Sequence, residues 1–192
     1  KLHKINVEGF GFFNNYEARV KGKLIGIHNS YKDHCLAALA ENLEVIINAG
    51  YITTQQGNNI TKLFNESDLL DCDQAKLIHN DSADWNVMIE DGELKALIDW
   101  DEAHGGDPVA DIACWSLFFP LNRLKLLIDG YKEVAELPEK FEEKLHIYRL
   151  RYVVSKMALR HKKYSYEQSE LFARLLAAGK EALKLESEYF DL

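Results

Sequence analysis

A short segment in the middle of the chain, LIHNDSADWNVMI at Leu77–Ile89, contains one His, two Asp and two Asn within eight residues. A further acid, Asp99, follows the apolar run ALI. Carboxylate and amide oxygens are ligands that Mg²⁺ accepts, and substrate phosphates commonly complete its coordination. Asp81, Asn86 and Asp99 could therefore hold a metal ion or move a proton if they converge. A plain polar turn between two strands is the alternative.

The apolar runs around this segment predict the elements that would position it. AKLIH at 75–79 predicts a short buried strand, and NVMIEDGELKALIDW at 86–100 predicts two strands joined by a tight turn at Glu90–Gly92. A loop between rigid strands can hold its polar side chains in fixed positions. We therefore expect Asp81, Asn86 and Asp99 to lie close together, with Trp85 filling the core beneath the loop.

The rest of the chain is predicted to be mainly helical, which gives an α+β fold class with one small central strand-loop-hairpin unit. Residues 5–30 form the exception, because their alternating pattern indicates short strands or a loop rather than a helix. The second predicted helix is expected to be interrupted or delayed at Gly57–Asn59. Helices are predicted over Asp33–Ala49, within Thr54–Leu70, from Pro108 until Pro120 ends or kinks it, over Leu121–Val134, from Pro138, and from Tyr166 to about Glu188.

The charge of the chain argues against nucleic acid as a partner, because the net charge is -8 and phosphate backbones bind clustered Lys and Arg. Fourteen acidic residues but only two lysines lie between Phe64 and Asp111. Such a field would attract a metal ion or a small polyamine-like molecule, although a solvated acidic face is the simpler interpretation. No run is long and apolar enough for a membrane span or a signal peptide, so we expect a cytoplasmic protein. The three cysteines, widely spaced, are expected to be free thiols.

Three motifs occur in order around the predicted loop. They are His79-x-Asp81-x-x-x-x-Asn86, then IDWD at Ile98–Asp101, then GDPVADIA at Gly106–Ala113. Together they resemble the catalytic core of the aminoglycoside phosphotransferase and choline kinase group. These small-molecule kinases share the fold of the protein kinases, and the resemblance covers Leu2–Phe118.

The resemblance implies a role for each motif residue. Asp81 would be the catalytic base that orients the acceptor hydroxyl, and Asn86 and Asp99 would bind the Mg²⁺ carried by the nucleotide. His79 and Asp111 would support the loop. The donor would be ATP, with GTP as the alternative, and the acceptor would be a small molecule.

Two acids that follow Asp99 indicate the charge of the acceptor. Asp101 and Glu102 directly follow the IDW triplet and are expected to bind a cationic acceptor. Within the resembling group this favours an aminoglycoside-like amino sugar first, although choline-like amines and other sugars also occur there. The sequence therefore predicts an ATP-dependent small-molecule kinase.

The resemblance also implies one domain, the carboxyl-terminal lobe of a kinase. Residues 1–32 would be a lead-in, 33–107 would hold the catalytic unit, and 108–192 would form a helical subdomain. Because residues 1–30 contain no strand lysine of the kinase type, we expect an amino-terminal lobe elsewhere in the parent protein and doubtful activity of this lobe alone. A non-catalytic binding or regulatory module is the alternative. A metal-dependent hydrolase is less favoured because no His-rich ligand set accompanies the acids.

Overall fold

The computed structural model describes residues 2–117, 119 and 121–192. Within these residues the chain forms eight α-helices and six short β-strands, so the mainly helical fold class is confirmed. The strands are β1 Phe10–Phe13, β2 Gly26–His28, β3 Lys76–Ile78, β4 Val87–Glu90, β5 Glu93–Leu97 and β6 His104–Gly106. The helices are α1 Asn15–Lys21, α2 Tyr31–Leu36, α3 Leu39–Asn48, α4 Thr54–Glu66, α5 Pro108–Ser116, α6 Leu121–Lys132, α7 Phe141–Tyr166 and α8 Glu170–Tyr189.

The chain divides into two compact units. The first comprises Lys1–His34 and Asp71–Leu145 and contains all the described strands. The second comprises Cys35–Leu70 and His146–Leu192 and is helical. In the second unit the buried residues recur at helical spacing, so the prediction of amphipathic helices from apolar periodicity is confirmed there.

The first unit is built on a four-stranded antiparallel sheet with the order β2-β1-β6-β3. The predicted strand at 75–79 is β3, and the predicted hairpin is β4–β5, which pairs as a separate antiparallel ribbon. Asp91 and Gly92 both have positive φ, 52° and 76°, at the turn. These angles are those of a type I′ turn, which matches the twist of a hairpin and favours the Asp-Gly pair.

Three expectations about the helices were wrong. Asn15–Lys21 is a helix, because the Asn14 side chain accepts hydrogen bonds from the first turn and Gly22 ends it at a φ of 65°. Helix α4 passes through Gly57–Asn59 without a break, since the missing side chain of Gly57 makes room for Ile47.

The third expectation concerned one helix over Asp33–Ala49. The structure divides it into α2 and α3, because the backbone of Ala38 departs from helical geometry at φ -116° and ψ 7°. Pro120, predicted to end or kink the helix that starts at Pro108, lies outside the described residues.

The composition led to predictions about the cysteines and about membrane spans. All three cysteines are free thiols, with Cys35 and Cys114 buried and Cys72 half-buried. Over the described part of the chain, no helix combines the length and the apolar character of a membrane span.

Candidate active site

The predicted catalytic loop connects β3 to β4 in the first unit. A single 3-10 turn, Asp84–Asn86, closes the loop, with the Asn86 amide donating to the Ala83 carbonyl at 2.9 Å. Asn80 and Asp99 both adopt the left-handed backbone conformation, with φ values of 65° and 64°. Asn and Asp tolerate this region better than other side chains do, so the residue types fit the bends.

Asp81 and Asn86 are in direct contact. The Asn86 side chain is 5% exposed, and its Nδ2 donates to the Asp81 carbonyl oxygen at 2.7 Å and to Asp81 Oδ2 at 3.0 Å. Because both amide hydrogens are committed to Asp81, the planar amide directs Oδ1 away from it. Asn86 Oδ1 and Asp81 Oδ1 therefore lie outside this contact.

Asp99 is held beside this pair through the residue before it. The Ile98 amide donates to the Asn86 carbonyl at 2.9 Å, and the Ile98 carbonyl accepts from His79 Nε2 at 3.0 Å. The peptide groups on both sides of Ile98 are therefore hydrogen-bonded, one to each end of the loop. Asp81, Asn86 and Asp99 lie on one hydrogen-bonded frame.

His79 organises the frame from within. It is fully buried, its ring lies edge-on to Trp100 at 4.7 Å between centroids, and its Nδ1 accepts from the Asp81 amide at 3.3 Å. Since Nδ1 accepts and Nε2 donates, this network selects a neutral imidazole with its hydrogen on Nε2. His79 therefore connects Asp81 with the segment after β5 that carries Asp99.

The donor set suits Mg²⁺. Asp99 offers a carboxylate and Asn86 an amide oxygen, both hard oxygen ligands. Within the described residues, no three His, Cys, Asp or Glu side chains form a preformed metal cluster. A Mg²⁺ ion that arrives with nucleotide phosphates does not need one, because phosphate oxygens and water fill the remaining positions.

Asp111 anchors the loop from the first turn of α5. This carboxylate is 5% exposed and accepts from the amides of His79, at 2.9 Å, and Asn80, at 2.6 Å. Its Oδ2 also lies 3.0 Å from Nε2 of His3. Burial alone would raise the pKa of Asp111, but the hydrogen bond and charge of His3 and the two amides lower it. Asp111 is thus held as a carboxylate at neutral pH.

The predicted acceptor residues, Asp101 and Glu102, lie in a solvent-exposed turn just beyond Trp100. The expectation that Trp85 fills the core was wrong, because its side chain is 61% exposed. Asp101 and Glu102 are exposed, so both can contact a solute without displacing core residues.

Two residues near the loop were missed by the sequence analysis. His3 contacts Asp111 across 108 positions of sequence, and Arg123 Nη2 lies 2.5 Å from Asp84 Oδ2. The Arg123 guanidinium also lies over the ring of Phe119, 4.3 Å from its centroid. Neither pairing has a local spacing signal, because both depend on how distant segments pack.

The fold and the loop define the class of a kinase-like phosphotransferase. A family model described as the phosphotransferase enzyme family matches residues 1–146, and the chain belongs to that family. A comparison with curated proteins finds no match.

Solved structures with the same fold include a thermostable mutant of aminoglycoside phosphotransferase APH(4)-Ia in a ternary complex with AMP-PNP and hygromycin B. It shares 21% identity over 95% of this chain and 58% of its own, with a TM-score of 0.61. A putative fructosamine-3-kinase from Thermobifida fusca shares 23% identity over 94% of this chain and 60% of its own, with a TM-score of 0.59. A macrolide 2'-phosphotransferase type I covers 80% of this chain and 49% of its own, at 17% identity and a TM-score of 0.51.

The TM-scores establish a shared fold. The chain spans 58% of the length of the APH(4)-Ia structure. Other crystallised forms of APH(4)-Ia carry alanine in place of an aspartate and of an asparagine five positions after it.

Proposed function

We propose that this chain is the catalytic and acceptor-binding part of an ATP-dependent phosphotransferase that acts on a hydroxyl of a small cationic molecule. The observation that carries the proposal is the frame joining Asp81, Asn86 and Asp99. In it Asn86 donates to Asp81, and Ile98, the residue before Asp99, is hydrogen-bonded to Asn86 and to His79. Crystallised APH(4)-Ia variants replace an aspartate and the asparagines four and five positions after it. The second of these spacings is that of Asp81 and Asn86, which supports a common use.

Asp81 would position the acceptor. Its Oδ2 is occupied by the Asn86 amide, so Oδ1 is the atom that accepts the hydrogen of the acceptor hydroxyl. As the hydroxyl oxygen attacks the terminal phosphorus, the bond from that phosphorus to the leaving oxygen breaks, and the hydroxyl proton passes to Asp81. Catalysis of this kind depends mainly on alignment and charge neutralisation.

Asn86 and Asp99 would hold Mg²⁺ through Oδ1 and the carboxylate, respectively. The ion supplies positive charge that offsets the phosphate oxygens as transfer proceeds. ATP is the proposed donor, with GTP as the alternative. We further propose that an amino-terminal lobe of the parent protein completes the nucleotide pocket, which is supported by the part of its structural neighbours that this chain does not span.

The acceptor is proposed to be cationic because acids dominate the segment that builds the site. Fourteen acidic residues but two lysines lie between Phe64 and Asp111, and Asp101 and Glu102 are exposed beside the site. Such a field concentrates cations and speeds their encounter. An aminoglycoside-like amino sugar is the first candidate, supported by the hygromycin B bound to APH(4)-Ia.

The test uses the full-length parent protein with Mg-ATP and matched acceptors. An amino sugar, its N-acetylated form, a choline-like amine and a neutral sugar would be compared by mass spectrometry of the products. We expect a mass gain of one phosphate on the amino sugar, abolished by EDTA and much reduced for the neutralised acceptors. Preference for the N-acetylated form would contradict the cationic acceptor, and ATP consumption without a phosphorylated product from any acceptor would contradict the transferase.

A non-catalytic binding or regulatory module derived from a kinase lobe is the second candidate. It predicts acceptor binding that is equally strong with and without Mg-ATP, and no product. Calorimetric titration of the full-length protein with the amino sugar, with and without Mg-ATP, separates the kinase from the binding module. A kinase would form phosphorylated product once both ligands are present.

A further inference from the structure

His3 belongs to a hydrogen-bonded chain that ends at the catalytic loop. Its Nε2 lies 3.0 Å from Asp111 Oδ2, and its Nδ1 lies 3.1 Å from the hydroxyl of Tyr131. Asp111 in turn accepts from the amides of His79 and Asn80, and the Asn80 carbonyl accepts from the thiol of Cys114 at 3.1 Å. The first ordered turn of the chain is therefore connected to the backbone on which Asp81 stands.

Asp111 also requires polar partners because its carboxylate is buried. The Asp111 side chain is 6% exposed, and a buried carboxylate is costly unless it is compensated. The backbone amides of His79 and Asn80 donate hydrogen bonds to it, and Nε2 of His3 is its third polar partner. His3 itself is 18% exposed, so water can reach the imidazole and core filling does not account for its place.

His79 and Asn80, whose amides donate to Asp111, directly precede Asp81. Asn80 bends through the left-handed region at a φ of 65°, a conformation that costs free energy unless its surroundings impose it. His79 carries the same constraint forward, because its Nδ1 accepts from the Asp81 amide. A shift of Asp111 would therefore move the backbone of Asp81 and the oxygen that meets the acceptor.

We propose that His3 is a positioning residue of the catalytic loop: through Asp111 it holds His79 and Asn80, and hence the Asp81 carboxylate, in the arrangement needed for phosphoryl transfer. This inference rests on the proposed function. Its action is through Asp111, because His3 contacts neither Asp81 nor a candidate metal ligand in the described structure.

The test compares His3→Ala with His3→Gln in the full-length protein. Glutamine keeps an amide donor near Nε2, and a cavity of about 490 Å³ lined by His3, Asp111 and Tyr131 leaves it room to adjust. The matched control is His161→Ala, which removes a similar contact, His161 Nδ1 to the Tyr51 hydroxyl at 3.0 Å, in the second unit. Turnover at saturating substrates, KM and amide hydrogen exchange at His79 and Asn80 are measured for each variant.

We expect His3→Ala to lower kcat by about 10-fold to 100-fold with KM unchanged, since misplacement by about an ångström can cost that much. Exchange at His79 and Asn80 should accelerate, His3→Gln should recover most of both losses, and the control should resemble wild type. Wild-type kcat in folded His3→Ala, or equal losses in both variants, would overturn the inference. If the wild-type protein transfers no phosphate, the proposed function fails, while the exchange at His79 and Asn80 still decides whether His3 positions the loop.

Discussion

Replacing Asp111 by Asn should cost stability in a way that depends on pH. The carboxylate accepts from His79, Asn80 and His3, whereas an amide offers one oxygen and turns an NH₂ group toward a donor. Hydrogen bonds to a charged group contribute about 1.5–3 kcal/mol each. An asparagine whose oxygen replaces Oδ2 keeps the contacts with His79 and His3 but turns its NH₂ group toward the Asn80 amide. We therefore expect a loss of about 3 kcal/mol at pH 7.

The sign of the pH dependence follows from the lowered pKa of Asp111 in the folded state. A carboxyl whose folded pKa lies below its unfolded value of about 3.9 stabilises the fold at higher pH, and that contribution is lost as the pH falls through the folded pKa. The difference between wild type and Asp111→Asn should therefore shrink below about pH 4.

Urea unfolding followed by circular dichroism at several pH values measures the difference directly. Equal slopes of free energy against urea in the two proteins would show that only stability has changed. A difference near zero at pH 7, or one that grows as the pH falls toward 3, would refute the reasoning.

Two further predictions concern residues outside the catalytic loop. Burial and the nearby charge of Asp107 raise the pKa of Cys72 to about 11. At pH 8 its alkylation should therefore be about 100-fold slower in the folded protein than in the urea-unfolded chain. Peptide mass spectrometry measures the two rates, and equal rates would contradict the prediction. Gly106→Ala should destabilise by about 1–3 kcal/mol, because the added carbon would lie 2.7 Å from a packed side chain. Gly130→Ala in α6, with nothing within 4 Å, should instead stabilise by about 0.5–1 kcal/mol, and thermal unfolding of both variants checks the contrast.

Local sequence patterns predicted the parts of the site that depend on neighbouring residues. The hairpin follows from alternating apolar residues and the Asp91-Gly92 turn, and the loop follows from the spacing of its polar residues. These features are encoded within about twenty residues, where periodicity and turn chemistry dominate. The short helix Asn15–Lys21 was missed because its caps, rather than an apolar stripe, define it.

Contacts between distant segments could not be predicted in the same way. His3 and Asp111 are 108 positions apart, and nothing in the sequence near either residue specifies the other as its partner. The same holds for Arg123 and Asp84, 39 positions apart. Such pairs arise from tertiary packing, which single-sequence patterns do not report, although a buried Asp at a helix start does signal that a partner is needed.

The most direct test of the central claim is the turnover number of Asp81→Asn in the full-length protein at saturating Mg-ATP and acceptor. The same chemical change at the exposed hairpin turn, Asp91→Asn, serves as the control. If Asp81 accepts the hydroxyl proton, kcat should fall by about 10²–10⁴-fold while Mg-ATP affinity is retained, and the control should match wild type. Turnover of Asp81→Asn equal to that of Asp91→Asn would contradict the account.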